Sequence, residues 1–286
     1  MPALPLDLVV LILFAALLHA SWNIIAKRAD DPFLGVTLVI GLCSVIAFPA
    51  VFFVPFPEPE SWPYLIASAL LHLGYNVLLG YGYRIGDMSI VYPVSRGSAP
   101  LLVTLSAWFL AGEGQDPLAI AGIAVISIGI LSFAFDRPIH ADSKKSRNAL
   151  LVGLAIGLFI MGYQLSDGLG VRLAGNKYSY IVWLFVPEGP LMLLICLLMR
   201  RYEIFTFARY HWKKFFLGAV MGTGSYSIAI YAAAQGSLGH VSALRETSVV
   251  FGTIMSALFL KEKFRNLRYL AAGLVALGAT LLASAR

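Results

Sequence analysis

Charge is scarce in this chain. Lys, Arg, Asp and Glu together supply 13% of 286 residues, roughly half the share usual in a soluble domain. No polar stretch is long enough to build a separate soluble domain. Cysteine is scarcer still. Cys43 and Cys196 both sit inside apolar runs, where a thiol acts as a small hydrophobe rather than as a disulfide partner, nucleophile or metal ligand. The phosphate-binding GxxxxGK[ST] loop, the zinc-binding HExxH, the GxSxG nucleophile turn and any Cys/His cluster with metal spacing are all missing. Nucleotide hydrolysis, zinc proteolysis and serine hydrolysis are disfavoured accordingly. The expectation is a protein that is not an enzyme, with no catalytic residue, no metal and no cofactor.

Apolar residues are abundant, at 59% of the chain, and the mean hydropathy is +0.81. A helix crossing about 30 Å of hydrocarbon needs about 20 apolar residues. Ten runs qualify, near 6–26, 33–54, 62–84, 88–110, 117–135, 149–171, 178–199, 212–234, 240–260 and 267–284. The fold class predicted is all-α: a polytopic membrane protein whose partner is the lipid bilayer. The first run has the apolar core of a secretion signal but neither a basic leading region nor a small-x-small cleavage site, so it reads as a span. Very short turns around Gly86 and Gly236 make tight hairpins of the third and fourth, and of the eighth and ninth, spans. The one sizeable polar linker, residues 136–148, separates a first five-helix repeat (1–135) from a second (149–286). Five crossings per unit insert the two copies in opposite senses, the inverted repeat of many secondary transporters.

Of the 21 Lys and Arg, 16 fall in odd-numbered loops and 3 in even-numbered loops and termini, with Arg96 and Arg245 inside spans. The positive-inside rule then puts the odd loops in the cytoplasm and both termini outside. The net charge of +6 is explained by membrane orientation, and no nucleic-acid partner is expected. A bacterial plasma (inner) membrane suits such a chain.

Internal repetition is clearest between Tyr81–Glu113 and Tyr231–Lys263. At an offset of 150 positions Tyr81, Gly86, Val91, Ser98, Ser106, Ala107, Phe109 and Leu110 match Tyr231, Gly236, Val241, Ser248, Ser256, Ala257, Phe259 and Leu260. Arg96 falls opposite Glu246. An arginine inside an apolar span costs several kcal/mol, from about 2.5 upward, unless paired or facing water. Pro93 and Pro100 on either side are expected to loosen the helix around it. Repeat-equivalent positions near a pseudo-two-fold axis are neighbours, so Arg96 and Glu246 are predicted to meet. Arg245, about 100° away on its helix, is left to face a cavity and bind an anionic group.

Further polar residues share helix faces. His19, Trp22 and Asn23 in LHASWN, and His72, Tyr75 and Asn76 in LHLGYN, are spaced i, i+3, i+4, with Tyr83 extending the second stripe. Tyr163 and Gln164 resemble Trp22 and Asn23 in type and repeat position. Asp167 follows at the next turn, either lining the same face or marking the exposed end of the span. Glu188 lies between Pro187 and Pro190, where freed carbonyls collect. With Tyr92, Tyr226 and Tyr231, these residues are the candidates for enclosing a substrate, and His19, His72, Asp167 and Glu188 are the candidates for proton coupling. Helix-to-helix packing is the alternative role for each. Gly153 and Gly157, Gly218 and Gly222, Gly122 and Gly129, and Gly273 and Gly278 permit close helix approach. The fifth and tenth spans lack interior charge, which suits peripheral helices and a homodimer surface.

The two five-span units, the small-rich fourth and ninth spans ending in FLAGE and FLKEK, and the glycine-bearing AIAGIAVISIGIL and YLAAGLVALGATLL together resemble EamA-type members of the drug/metabolite transporter superfamily. The resemblance covers essentially the whole chain. It implies a central cavity built by the first, third, fourth, sixth, eighth and ninth helices, and alternating access by rocking of helix groups. Relatives often have cytoplasmic termini, which the loop charges here reverse. LHASWN and YPVSRG are similar to a subset associated with phosphonate use. The function expected is secondary transport of small polar or zwitterionic metabolites such as amino acids, with an aminophosphonate as another fit. The rival readings are a flippase for a lipid-linked sugar or phospholipid, and a membrane enzyme or receptor.

Overall fold

The computed structural model describes residues 4–27, 29–85, 88–114, 116–135, 143–260 and 266–285. These contain α-helices and short 3-10 turns and no strand. In the first unit, α1 is Leu6–Lys27, α2 Pro32–Ala47, α3 Trp62–Ile85, α4 Met88–Ala111 and α5 Pro117–Ser132. In the second, α6 is Ser143–Leu173, α7 Lys177–Arg200, α8 Glu203–Ala233 and α11 Asn266–Ser284. Between them the ninth crossing is made of two pieces, α9 Leu238–Arg245 and α10 Ser248–Leu260.

Local chemistry sets the helix starts. Asp31 accepts from the Phe33 and Leu34 N–H groups at 3.0 and 3.1 Å, with Pro32 in the first turn. Asn176 does the same for Tyr178 and Ser179, after Gly175 has turned the chain at a φ of +69°. Such side-chain caps supply partners for N–H groups that a helix start leaves open. Seven of the described helices are long and apolar enough to cross a membrane. Leu6, Val10 and Phe14 on α1, and Leu150, Leu154 and Leu158 on α6, stay exposed at turn-by-turn spacing. Those stripes are the surface that acyl chains cover, while Arg96, Asp167, Arg245 and Glu246 are buried.

Three features depart from the sequence-based expectation. Helices α6 and α8 each run 31 residues, so α6 takes up part of the expected linker. At 1.5 Å per residue that is about 46 Å, longer than the hydrocarbon core, and their polar first turns extend beyond it. Second, α4 is continuous through Pro93 and Pro100, and α7 through Pro187 and Pro190. In α4 the Ser95 and Thr104 hydroxyls bond the carbonyls of Tyr92 and Pro100 at 2.9 and 2.7 Å, an additional bond at each within the helix. Third, the expected single ninth span breaks at Glu246–Thr247. There the Glu246 and Thr247 N–H groups bond three residues back, to Ala243 and Leu244, at 3.1 and 3.2 Å. The Thr247 hydroxyl takes the Leu244 carbonyl at 2.7 Å. The turn around Gly86 lies outside the described residues.

Between helices in lipid, close packing of small residues replaces the hydrophobic drive available in water. A Cβ on Gly122 would lie 2.9 Å from the Gly278 carbonyl oxygen, and one on Gly278 would lie 2.7 Å from the Gly122 carbonyl oxygen. The glycine faces of α5 and α11 are therefore spent on each other within the chain. Gly153 and Gly157 similarly seat α6 against Val91, Val94 and Ser98 of α4, beside Arg96. Gly278→Leu is expected to lower thermal stability in detergent by about 1–3 kcal/mol through overpacking against backbone. Gly273→Ala, where a Cβ meets nothing within 4 Å, should leave the melting temperature unchanged or slightly raised.

Candidate functional site

Arg96 and Glu246 meet. Their Nη1 and Oε1 atoms are 3.1 Å apart, with the residues 4% and 1% exposed. The pair joins α4 of the first unit to the break in the ninth crossing of the second. Arg96 also contacts the His19 Nε2 through Nη2, and its guanidinium lies 5.8 Å from the Tyr92 ring centre. On the other side of His19, the Trp22 indole N–H donates to Nδ1 at 3.2 Å. A neutral imidazole accepts at one nitrogen only, so Arg96 and Trp22 compete for His19. Asn23 spends its amide on the His19 carbonyl at 2.7 Å.

A second cluster forms around His72. Its Nδ1 lies 3.0 Å from the Ser68 carbonyl, 3.1 Å from the Ser68 hydroxyl and 3.2 Å from Glu188 Oε1. The Glu188 approach is close enough for an ion pair but lacks hydrogen-bond alignment, and that carboxylate oxygen has no hydrogen-bond partner. The imidazole stacks on Tyr163 at 3.9 Å and meets Tyr226 edge-on at 5.2 Å, while Tyr75 packs edge-on against Tyr163. Asp167 is 2% exposed, which resolves its two readings in favour of the interior. One oxygen accepts from the Tyr180 hydroxyl at 3.1 Å and the other from Tyr226.

Beside the second cluster, within the second unit, lies a small cavity. Gln164, Asp167, Tyr226, Leu238, Ser242 and Arg245 are among its lining residues. Arg245 is 7% exposed, and its guanidinium stacks over Tyr226 at 5.0 Å. Among the described residues no carboxylate lies within ion-pair distance of it. The Gln164 amide nitrogen and the Ser242 hydroxyl are buried without partners. The end of α9 places Arg245 where helix carbonyls carry partial negative charge and Glu246 near the start of α10, as the helix dipoles favour.

Some expected residues stand elsewhere. Tyr231 is not with the others: at the end of α8 its ring lies 3.9 Å beneath the Lys177 ammonium and beside Tyr178. Its spacing along α8 carries it past the buried cluster to the helix end. The Tyr83 side chain lies outside the described residues. Asn76 is buried on α3. Ser68, Tyr180 and Ser242 were not anticipated. Ser68 could have been found as the residue one turn before His72, whereas Tyr180 reaches Asp167 from another helix with no spacing to signal it.

The architecture and the enclosed polar interior define a multi-pass membrane transporter fold. Residues 8–135 and 147–284 each match the EamA-like transporter family, and the chain belongs to that family. No curated protein matches it. Among solved structures, one described as "Crystal structure of protein" superposes with a TM-score of 0.75, covering 96% of both chains at 17% identity. That likeness is one of fold. Asp167→Ala should leave the Tyr226 hydroxyl without its acceptor and the Tyr180 hydroxyl with only the Ser166 carbonyl at 3.4 Å, and cost about 1–3 kcal/mol of stability in detergent. Tyr231→Phe, measured in the same melting assay, is expected to change stability by less than about 0.5 kcal/mol.

Proposed function

We propose that the chain is a secondary transporter of small zwitterionic metabolites, amino acids among them, working by alternating access of its two units around the polar interior that contains Arg245. The observation that carries this reading is the Arg245 wall. A buried guanidinium with no carboxylate partner among the described residues stands beside an unpartnered amide donor on Gln164 and an unpartnered hydroxyl on Ser242. Buried donors left open cost about 1–3 kcal/mol each, a cost that a bound carboxylate or phosphonate offsets. The broken ninth crossing supports the same reading, because half-helix ends near the midplane are where transporters of inverted-repeat design hold charged ligands.

Asp167 is occupied by two tyrosines, so the ligand's ammonium group is assigned instead to Glu188, whose Oε1 has no hydrogen-bond partner. The His72–Glu188 contact is the proposed coupling point, with His72 taking the proton that Glu188 releases when the ammonium arrives. Odd-numbered loops face the cytoplasm of a bacterial inner membrane in this proposal, since helical spans belong there and barrels in the outer membrane.

Proteoliposomes with an imposed pH gradient and a panel of labelled amino acids and aminophosphonates test the reading. At least one should be taken up, its methyl ester should not compete, and Arg245→Ala should reduce uptake at least about tenfold, the loss expected for one charge-assisted contact. Uptake unchanged in Arg245→Ala would refute the anion assignment.

A further inference from the structure

A second ion pair, between a buried glutamate and a part-exposed arginine, stands at the end where α4, α6 and α8 finish and α9 begins. Glu113, just past α4, is 1% exposed. Its Oε1 holds Arg172 Nη1 at 2.7 Å, and its Oε2 accepts the N–H of Leu238, the first residue of α9, at 2.8 Å. Arg172, in the last turn of α6, also donates from Nε to the Ala233 carbonyl at 3.0 Å and from Nη2 to the Gly236 carbonyl at 2.7 Å. Two side chains thus tie together four helix ends drawn from both units. Ala233 and Leu238 also line the cavity that contains Arg245. The clamp and the chamber share a wall.

We propose that Glu113 and Arg172 form the gate that closes the chamber toward the α4–α5, α6–α7 and α8–α9 connections. The proposal rests on the alternating-access reading above. Three physical features suit a gate better than a fixed staple. The Arg172 side chain keeps 24% of its surface exposed, so water can solvate the charges as the pair parts and its opening need not unfold the protein. The groups it holds are the terminal carbonyls of α8 and the first N–H of α9, which water can satisfy once the mouth opens. Glu113 itself sits between Gly112 and Gly114. Gly112 has a φ of +64°, which side chains rarely adopt, and a Cβ at either glycine would meet nothing within 4 Å. The carboxylate therefore rides on a short segment with room to swing.

The test uses the full chain in proteoliposomes, with Cys43 and Cys196 replaced by Ala and Ala229→Cys, which lines the cavity and has no assigned ligand contact, as a reporter in the chamber. The probe is a membrane-impermeant maleimide added on the gate side. Labelling should be slow with the gate intact. Glu113→Gln and Arg172→Gln should each speed it at least about tenfold, and the double variant no more than either alone, as expected when one two-state closure is lost. Glu113→Asp, which keeps the charge and so guards against a variant that fails to fold, should give an intermediate rate. Labelling rates equal to the parent in properly inserted variants would overturn the gate. Labelling needs no substrate, so faster labelling without any solute uptake would leave the gate standing and remove the transport reading.

Discussion

An arginine placed mid-span has to be neutralised, and the rest of this structure follows from that requirement. Arg96 cannot reach water or headgroups from the middle of α4, so it needs an anion from another helix. Glu246 supplies one, and it comes from the opposite unit. The contact fixes α4 against the ninth crossing, brings His19 of α1 against the same guanidinium, and makes the interior between the units polar. Glycines on α6 let that helix approach α4 beside the pair, while α5 and α11 pack on each other through Gly122 and Gly278.

Function enters where the neutralisation is incomplete. Arg96 is answered by Glu246 and Asp167 by two tyrosines, but Arg245 lines the cavity with no carboxylate at ion-pair distance among the described residues, beside unpartnered groups on Gln164 and Ser242. A fully paired polar interior would be a staple between helices. One with open groups on one wall, and an under-bonded carboxylate on Glu188, fits the proposed ligand, which brings both signs of charge. The same contrast separates the chamber from the clamp at its end. Glu113 and Arg172 satisfy each other and four helix ends, which is why closure, rather than ligand binding, is the role proposed for them.

Much of the fold was legible because the membrane enforces simple rules. Apolar runs mark crossings, and an odd number of them per copy reverses the second copy. The Arg96–Glu246 contact could be read from the offset of 150 positions alone, since near an axis equivalent residues are neighbours. What escaped was conditioned on tertiary contact. The prolines of α4 suggested a loosened helix there, whereas α4 runs on and the ninth crossing breaks at Glu246–Thr247, where no glycine or proline marks it and a threonine hydroxyl turns back on the helix. Asp167 looked equally suited to a span end until Tyr180 and Tyr226 were seen around it. Arg172 counted as a loop charge, yet it lies in the last turn of α6, held by a carboxylate 59 residues away in sequence.

The central claim is that the buried Arg96–Glu246 pair holds the two units against each other, and a double-mutant cycle on thermal or denaturant unfolding in detergent tests it most directly. Arg96→Met and Glu246→Met each strand a buried charge and should each cost about 3–5 kcal/mol. The double variant, with both charges gone, should recover most of that loss, giving a coupling of at least about 2 kcal/mol. Single-variant losses that simply add in the double variant would contradict the account.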